Sequence, residues 1–152
     1  MVEETEAGPG EELAIGAHWR RLVDGWAARS FLRSATDGTS ISLEFDAQAT
    51  GESATLRFTT TTRLLVAFMT DGHFVQQDQL AVAAAASNAW NAEQLLPTLA
   101  VWDVRGGRPF LAGACVLPLS CRMTQSDFNA LADEWMEGGR LMFARCHQVF
   151  KL

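Results

Sequence analysis

The side chains of this chain that could do chemistry are few, and most stand apart from one another. Asn88 and Asn91 lie three residues apart on either side of Trp90. On a helix that spacing lets both amides reach one neighbouring segment. They could read a small ligand, but near a helix end they are better suited to satisfying orphan carbonyls or an adjoining loop. Cys115, Cys121 and Cys146 are odd in number and lack C-x-x-C spacing, which argues against a disulfide framework. Cys115 falls in an apolar run, where a buried thiol stays protonated and inert. His18, His73 and His147 are scattered along the sequence, and adjacent Cys146 and His147 point in different directions on a helix. No metal centre is expected from them. Asp133, Glu134 and Glu137 read as the wet face of a helix rather than an acid–base pair. Gly106-Gly107 lies between strands instead of opening a helix, and neither G-x-x-x-x-G-K-[ST] nor G-x-S-x-G occurs. Nucleotide binding and serine nucleophile chemistry therefore lack their usual scaffolds. No catalytic residue and no cofactor is assigned.

The elements that must position these residues follow from periodicity. Trp19, Leu22, Val23 and Trp26 recur at helical spacing and predict a first helix from about Glu11 or Ala17 to Arg29. A short strand over 31–33 and a turn at Asp37-Gly38 come next. Ile41, Leu43 and Phe45 alternate with Ser40, Ser42 and Glu44, which predicts a strand with one wet face. After a small-residue connection over 46–53, Leu56 and Phe58 alternate in the same way. Residues 64–69 are apolar on both faces, so this strand should be covered on both sides. Asp71-Gly72 turns the chain into a helix over about 76–91, with Val82, Ala83, Ala86 and Trp90 on one face. Strands over about 99–104 and 109–119 flank a tight turn at Gly106-Gly107, and Pro118 closes the second. Thr124 followed by Asp127 predicts the N-terminus of a last helix. Its buried stripe is Phe128, Leu131, Ala132, Trp135, Met142, Cys146 and Val149, interrupted at Gly138-Gly139 by a kink, a break or close packing. The five Trp mostly fall on apolar faces and read as core or interface. The fold class is α+β: a mainly antiparallel sheet of five to six strands with three helices, in the order α-β-β-β-α-β-β-α.

The chain has 152 residues, which suits one domain over 11–152 behind an acidic tail over 1–10. Five Glu and no basic residue stand in the first twelve positions, so removing them takes the net charge from −6 to −1. The tail is expected to be flexible, and the lack of a basic block argues against nucleic-acid binding. No apolar run is long enough to span a bilayer, and the opening residues do not form a signal peptide. A cytoplasmic location is the expectation. Eleven of the twelve basic residues are Arg, the mark of a GC-rich bacterial source.

Asn88-x-Trp90-Asn91, then Pro97 leading into a hairpin and a long amphipathic last helix, resembles the YbjN family of bacterial proteins described as sensory transduction regulators. The resemblance is best over about 63–150. It implies the fold of type III secretion chaperones, pairing as a homodimer, and a non-enzymatic role. The Thr59–Thr62 run, Gly138-Gly139 and the acidic tail depart from that pattern.

The expected function is protein binding by a homodimer, with an unknown protein partner and no nucleic acid or membrane. The motive is an excess of two-faced apolar strands over the helices available to cover them. Leu65, Met69, Trp102 and Leu111 are the candidate interface. The family-motif positions are Asn88, Trp90, Asn91 and Pro97. A small-molecule regulator with a pocket near Trp90, Asn88 and Asn91 is the alternative, and an enzyme using Cys115 or Cys121 stands third.

Overall fold

The computed structural model describes residues 8, 10–47, 52–103 and 107–152. Most of the acidic tail, part of the 46–53 connection and Gly106 of the hairpin turn lie outside them. The chain runs β1 (Leu13–Ala14), α1 (Ile15–Arg29), β2 (Ser34–Thr36), β3 (Ser40–Ala47), β4 (Glu52–Thr60), β5 (Leu64–Thr70), a short 3₁₀ turn over Gln77–Gln79, α2 (Leu80–Glu93), β6 (Thr98–Trp102), β7 (Phe110–Pro118), β8 (Arg122–Met123) and α3 (Gln125–Gln148). Six strands form one antiparallel sheet in the order β2-β3-β4-β5-β7-β6, and β1 pairs with β8 beside it. The α+β class and the antiparallel sheet are as expected.

Cross-strand partners share a face, so the register sorts every strand residue. Ile41, Phe58, Ala67 and Cys115 lie in one row of the inner face, and Leu43, Leu56, Met69 and Gly113 lie in the next. α1 and α3 cover this face, and α2 flanks α3 against β6. Trp26, Phe58 and Phe128 meet edge-on or tilted at 6.0 and 6.2 Å, and all three are fully buried. Burying side chains of this size contributes about 1.5–3 kcal/mol each. The indole N–H of Trp26 donates to Asp133 Oδ1 at 2.8 Å, which ties α1 to α3.

Two local expectations change, and the choice left open at Gly138-Gly139 resolves to close packing. Residue 31 is not in a strand: Phe31 has φ 55° and is 95% exposed in the turn after α1, so β2 starts at Ser34. Val82 leaves the apolar face of α2 and is exposed, while Ala83, Ala86 and Trp90 are buried. α3 runs unbroken through Gly138-Gly139. Close packing is the reason. A Cβ on Gly138 would sit 3.0 Å from Pro97 Cδ, and one on Gly139 would sit 2.5 Å from Met69 Sδ. The helix starts as expected, with Thr124 Oγ1 accepting from the Asp127 backbone N–H at 3.0 Å. No helix among the described residues is long and apolar enough to cross a membrane.

Candidate functional site

The outer face of the sheet divides into two halves. On β3 and β4 it carries Ser42, Glu44, Thr55 and Arg57. On β5, β7 and β6 it carries Val66, Phe68, Ala114, Val116, Phe110 and Trp102, by the pairings Val66↔Val116, Phe68↔Ala114 and Trp102↔Phe110. The outward positions of these three strands include no charged residue. Phe68 is the hub: its ring meets Trp102 edge-on at 5.1 Å and Phe110 at 6.5 Å. Trp102 and Val116 are each 46% exposed, and Val66, Phe68 and Phe110 are half-buried. β5 is thus covered on its inner side only, against the expectation of cover on both. The α-helices among the described residues lie on the inner side.

This corrects the candidate interface. Leu65, Met69 and Leu111 lie in the core, at most 3% exposed. Trp102 alone of the four is on the open face. The error is one of phase. A strand apolar at every position offers two sets of alternate residues, and neither composition nor period says which set meets the helices. Leu65 and Met69 form one set of β5; Leu64, Val66 and Phe68 form the other. Helices rich in small and aromatic residues filled the first.

The family-motif residues converge on a packed joint between α2 and β6. Trp90 is buried, and its indole N–H donates to the Pro97 carbonyl at 2.7 Å. Asn91 grips the start of β6 at two points: Nδ2 donates to Leu99 O at 2.8 Å, and Oδ1 accepts from Leu99 N–H at 2.9 Å. Pro97, after a cis bond from Leu96, is buried against Gly138 of α3 and Gly113 of β7. Asn88 is exposed and does not share the joint. The motif therefore orients β6, and through it Trp102, and its polar atoms on Trp90 and Asn91 are engaged by the chain itself.

The remaining chemical candidates separate. Burial pushes the Cys115 thiol up to about 12. Burial, then the nearby Asp71 charge, raises the Cys146 thiol to about 11. Both thiols are too protonated to act as nucleophiles. Asp133 holds Trp26 and Arg29, Glu137 pairs with Arg140 at 3.2 Å, and these carboxylates do not form an acid–base pair. His18 sits half-buried on α1.

His73 and His147 are not scattered in space, which corrects the expectation from the sequence. Their rings meet edge-on at 4.7 Å, with Asp71 between the ends of β5 and α3. Gly72, at φ 77°, makes the tight turn that returns His73 toward Asp71. Asp71 Oδ1 accepts from the His73 backbone N–H at 3.1 Å. Asp71 Oδ2 faces His147 Nε2 at 2.5 Å and His73 Nδ1 at 3.8 Å. The Asp71 side chain is 2% exposed. Burial alone would raise its pKa. The His147 hydrogen bond, the His73 N–H and the charge of the two imidazoles outweigh burial and hold it below the usual carboxylate value. No spacing rule could announce this cluster, because His147 is 76 residues from Asp71.

No protein-family profile matches the chain, and no curated protein matches it. Among solved structures it is similar to YbjN from E. coli, a proposed transcription regulator, with a TM-score of 0.70. The alignment covers 85% of this chain and 91% of that one at 12% identity. The expected YbjN-like architecture is therefore present as a shared fold.

Proposed function

We propose that this chain is a non-enzymatic, cytoplasmic regulatory protein that works by binding protein, with the apolar half of its outer sheet face closed by a second copy of itself. The charge-free patch around Phe68, Val116 and Trp102 carries this reading. Apolar surface of that kind, rimmed by polar residues, marks an interaction site. A two-fold pairing presents the same patch from both sides, so it needs no complementary surface elsewhere. The likeness of fold to a proposed regulator supports the regulatory role. The absence of a basic block in the sequence favours acting through proteins rather than contacting nucleic acid directly. A chaperone-like mode, with a client segment laid on the face or added to the edge of β6 or β2, would use the same chemistry.

Light scattering at micromolar concentration tests the pairing. The expected result is a dimer that Val116→Glu converts to a folded monomer. A wild-type monomer, or a dimer indifferent to Val116→Glu, would overturn it. The small-molecule reading near Trp90 ranks below this one, because Trp90 and Asn91 spend their donors and acceptors on Pro97 and Leu99.

A further inference from the structure

We infer that Asp71, His73 and His147 form a binding site for one divalent late transition-metal ion of the zinc class. The three donor atoms, a carboxylate oxygen and two imidazole nitrogens, lie within 4.8 Å of one another. Such an ion takes these donors at about 2.0–2.2 Å, which places them roughly 3.2–3.5 Å apart around it. The separations of 2.5 and 3.8 Å about Asp71 Oδ2 bracket that range. Side-chain adjustments under about 1 Å would bring them into it.

The surroundings of the donors match those of a metal site. Metal-ligating histidines donate their other ring N–H to a carbonyl or carboxylate, which fixes the ring and the tautomer. His147 Nδ1 meets the backbone oxygen of Leu152 in a short hydrogen bond. That oxygen is delivered by a hook after α3, in which Lys151 at φ 57° turns the chain and Leu152 N–H bonds Cys146 O at 3.1 Å. Nε2 is left as the atom facing Asp71. Asp71 is oriented in its turn, with Oδ1 held by the His73 N–H and Oδ2 aimed at both rings. In the ion's absence the position between Oδ2 and Nε2 holds a proton. The ion replaces it, taking the Nε2 lone pair while that proton leaves to solvent. The His73 side chain is 36% exposed, but its Nδ1 is buried on the side toward Asp71, as a ligating atom would be. Two imidazoles and one carboxylate suit zinc, cobalt or nickel over magnesium or calcium. Bound there, the ion ties the end of β5 to the end of α3, so it would act as a clamp.

Zinc titration of the full chain by calorimetry, with cobalt absorption as the geometric readout, tests the site. One ion per chain is expected, unaffected by excess magnesium. His73→Ala removes a half-exposed ligand without disturbing the core, and far-UV circular dichroism verifies its fold. It should weaken zinc at least about tenfold and abolish the zinc-induced rise in melting temperature seen in wild type. His18→Ala should change neither. Asp71→Asn should behave as His73→Ala does; if it unfolds, His73→Gln serves as the second ligand variant. Absence of saturable binding would overturn the site, as would equal affinity in wild type and His73→Ala, or one ion per two chains.

Discussion

The two faces of the six-stranded sheet are built from the same strands and meet opposite fates. The inner face, with Leu43, Leu56, Phe58 and Met69, is sealed under α1 and α3. The outer face is polar on β3 and β4 but apolar on β5, β7 and β6. A sheet with only its own core to protect needs one apolar face, with polar residues alternating onto the other. β3 and β4 follow that economy, and β5 and β7 break it. The pairing proposed above takes that break as its surface. Truncations separate the two. Phe58→Ala should cost about 3–5 kcal/mol in urea unfolding, because it opens a cavity at full burial. Val116→Glu should change the stability of the isolated subunit by no more than about 1 kcal/mol. Its effect should fall on pairing, with a loss of about 2 kcal/mol or more in dimerisation measured by concentration-dependent light scattering. If Val116→Glu unfolds the subunit as severely as Phe58→Ala, the outer face is core and the contrast fails.

Gly138→Ala sharpens the same contrast from the inner side. Alanine gains about 1 kcal/mol of helix propensity over glycine. Here its Cβ meets the rigid ring of Pro97 at 3.0 Å and the Leu96 carbonyl at 3.3 Å. Overpacking of this kind costs about 1–3 kcal/mol. A net loss near 1 kcal/mol in the denaturation midpoint is expected, whereas an alanine on the outer face should be nearly silent. A gain in stability would show slack in the joint. Asn91→Ala should cost about 1–2 kcal/mol, since it strips two hydrogen bonds from Leu99. Faster amide exchange at Leu99 would locate the loss in β6, the strand that carries Trp102.

These residues also show what the sequence disclosed. Alternation at Ile41, Leu43 and Phe45 was legible because polar residues between them declare the wet side. The antiparallel architecture followed from consecutive strands joined by short turns, such as the one at Asp37-Gly38. β5 and β7 carried no such declaration, so Leu65, Met69 and Leu111 were assigned to the wrong side of the sheet. Trp90 and Asn91 were legible as a structural joint because they sit at a helix end before a proline. The partner of Gly138 was not, since close packing against Pro97 depends on a contact 41 residues away. The Asp71–His73–His147 cluster was invisible for the same reason. Local chemistry fixes turns and caps, while convergence of distant side chains is a property of the assembled fold.

The smallest effect tests the register on which the comparison of faces rests. A slip of one residue in β3 would carry Ile41, Leu43 and Phe45 to the outer face and Ser42 and Glu44 into the core. Asp37 guards against it at the β2–β3 turn. Its Oδ1 accepts from the backbone N–H groups of Thr39 and Ser40, both at 2.8 Å, and its Oδ2 accepts from the Ser40 hydroxyl at 2.9 Å. These bonds, the Thr39 N–H foremost, hold its pKa well below the ordinary 3.8. A carboxyl depressed on folding contributes stability that is present above its ordinary pKa and is lost as pH falls through the folded value. The acid limb of the stability curve should therefore steepen slightly below the usual carboxylate range, and Asp37→Asn should flatten that part. The turn is open to solvent, so the change is small. An NMR titration placing Asp37 at or above 3.8 would remove this anchor. The sorting of β3 would then rest on core packing alone, the force that already buries Ile41, Leu43 and Phe45.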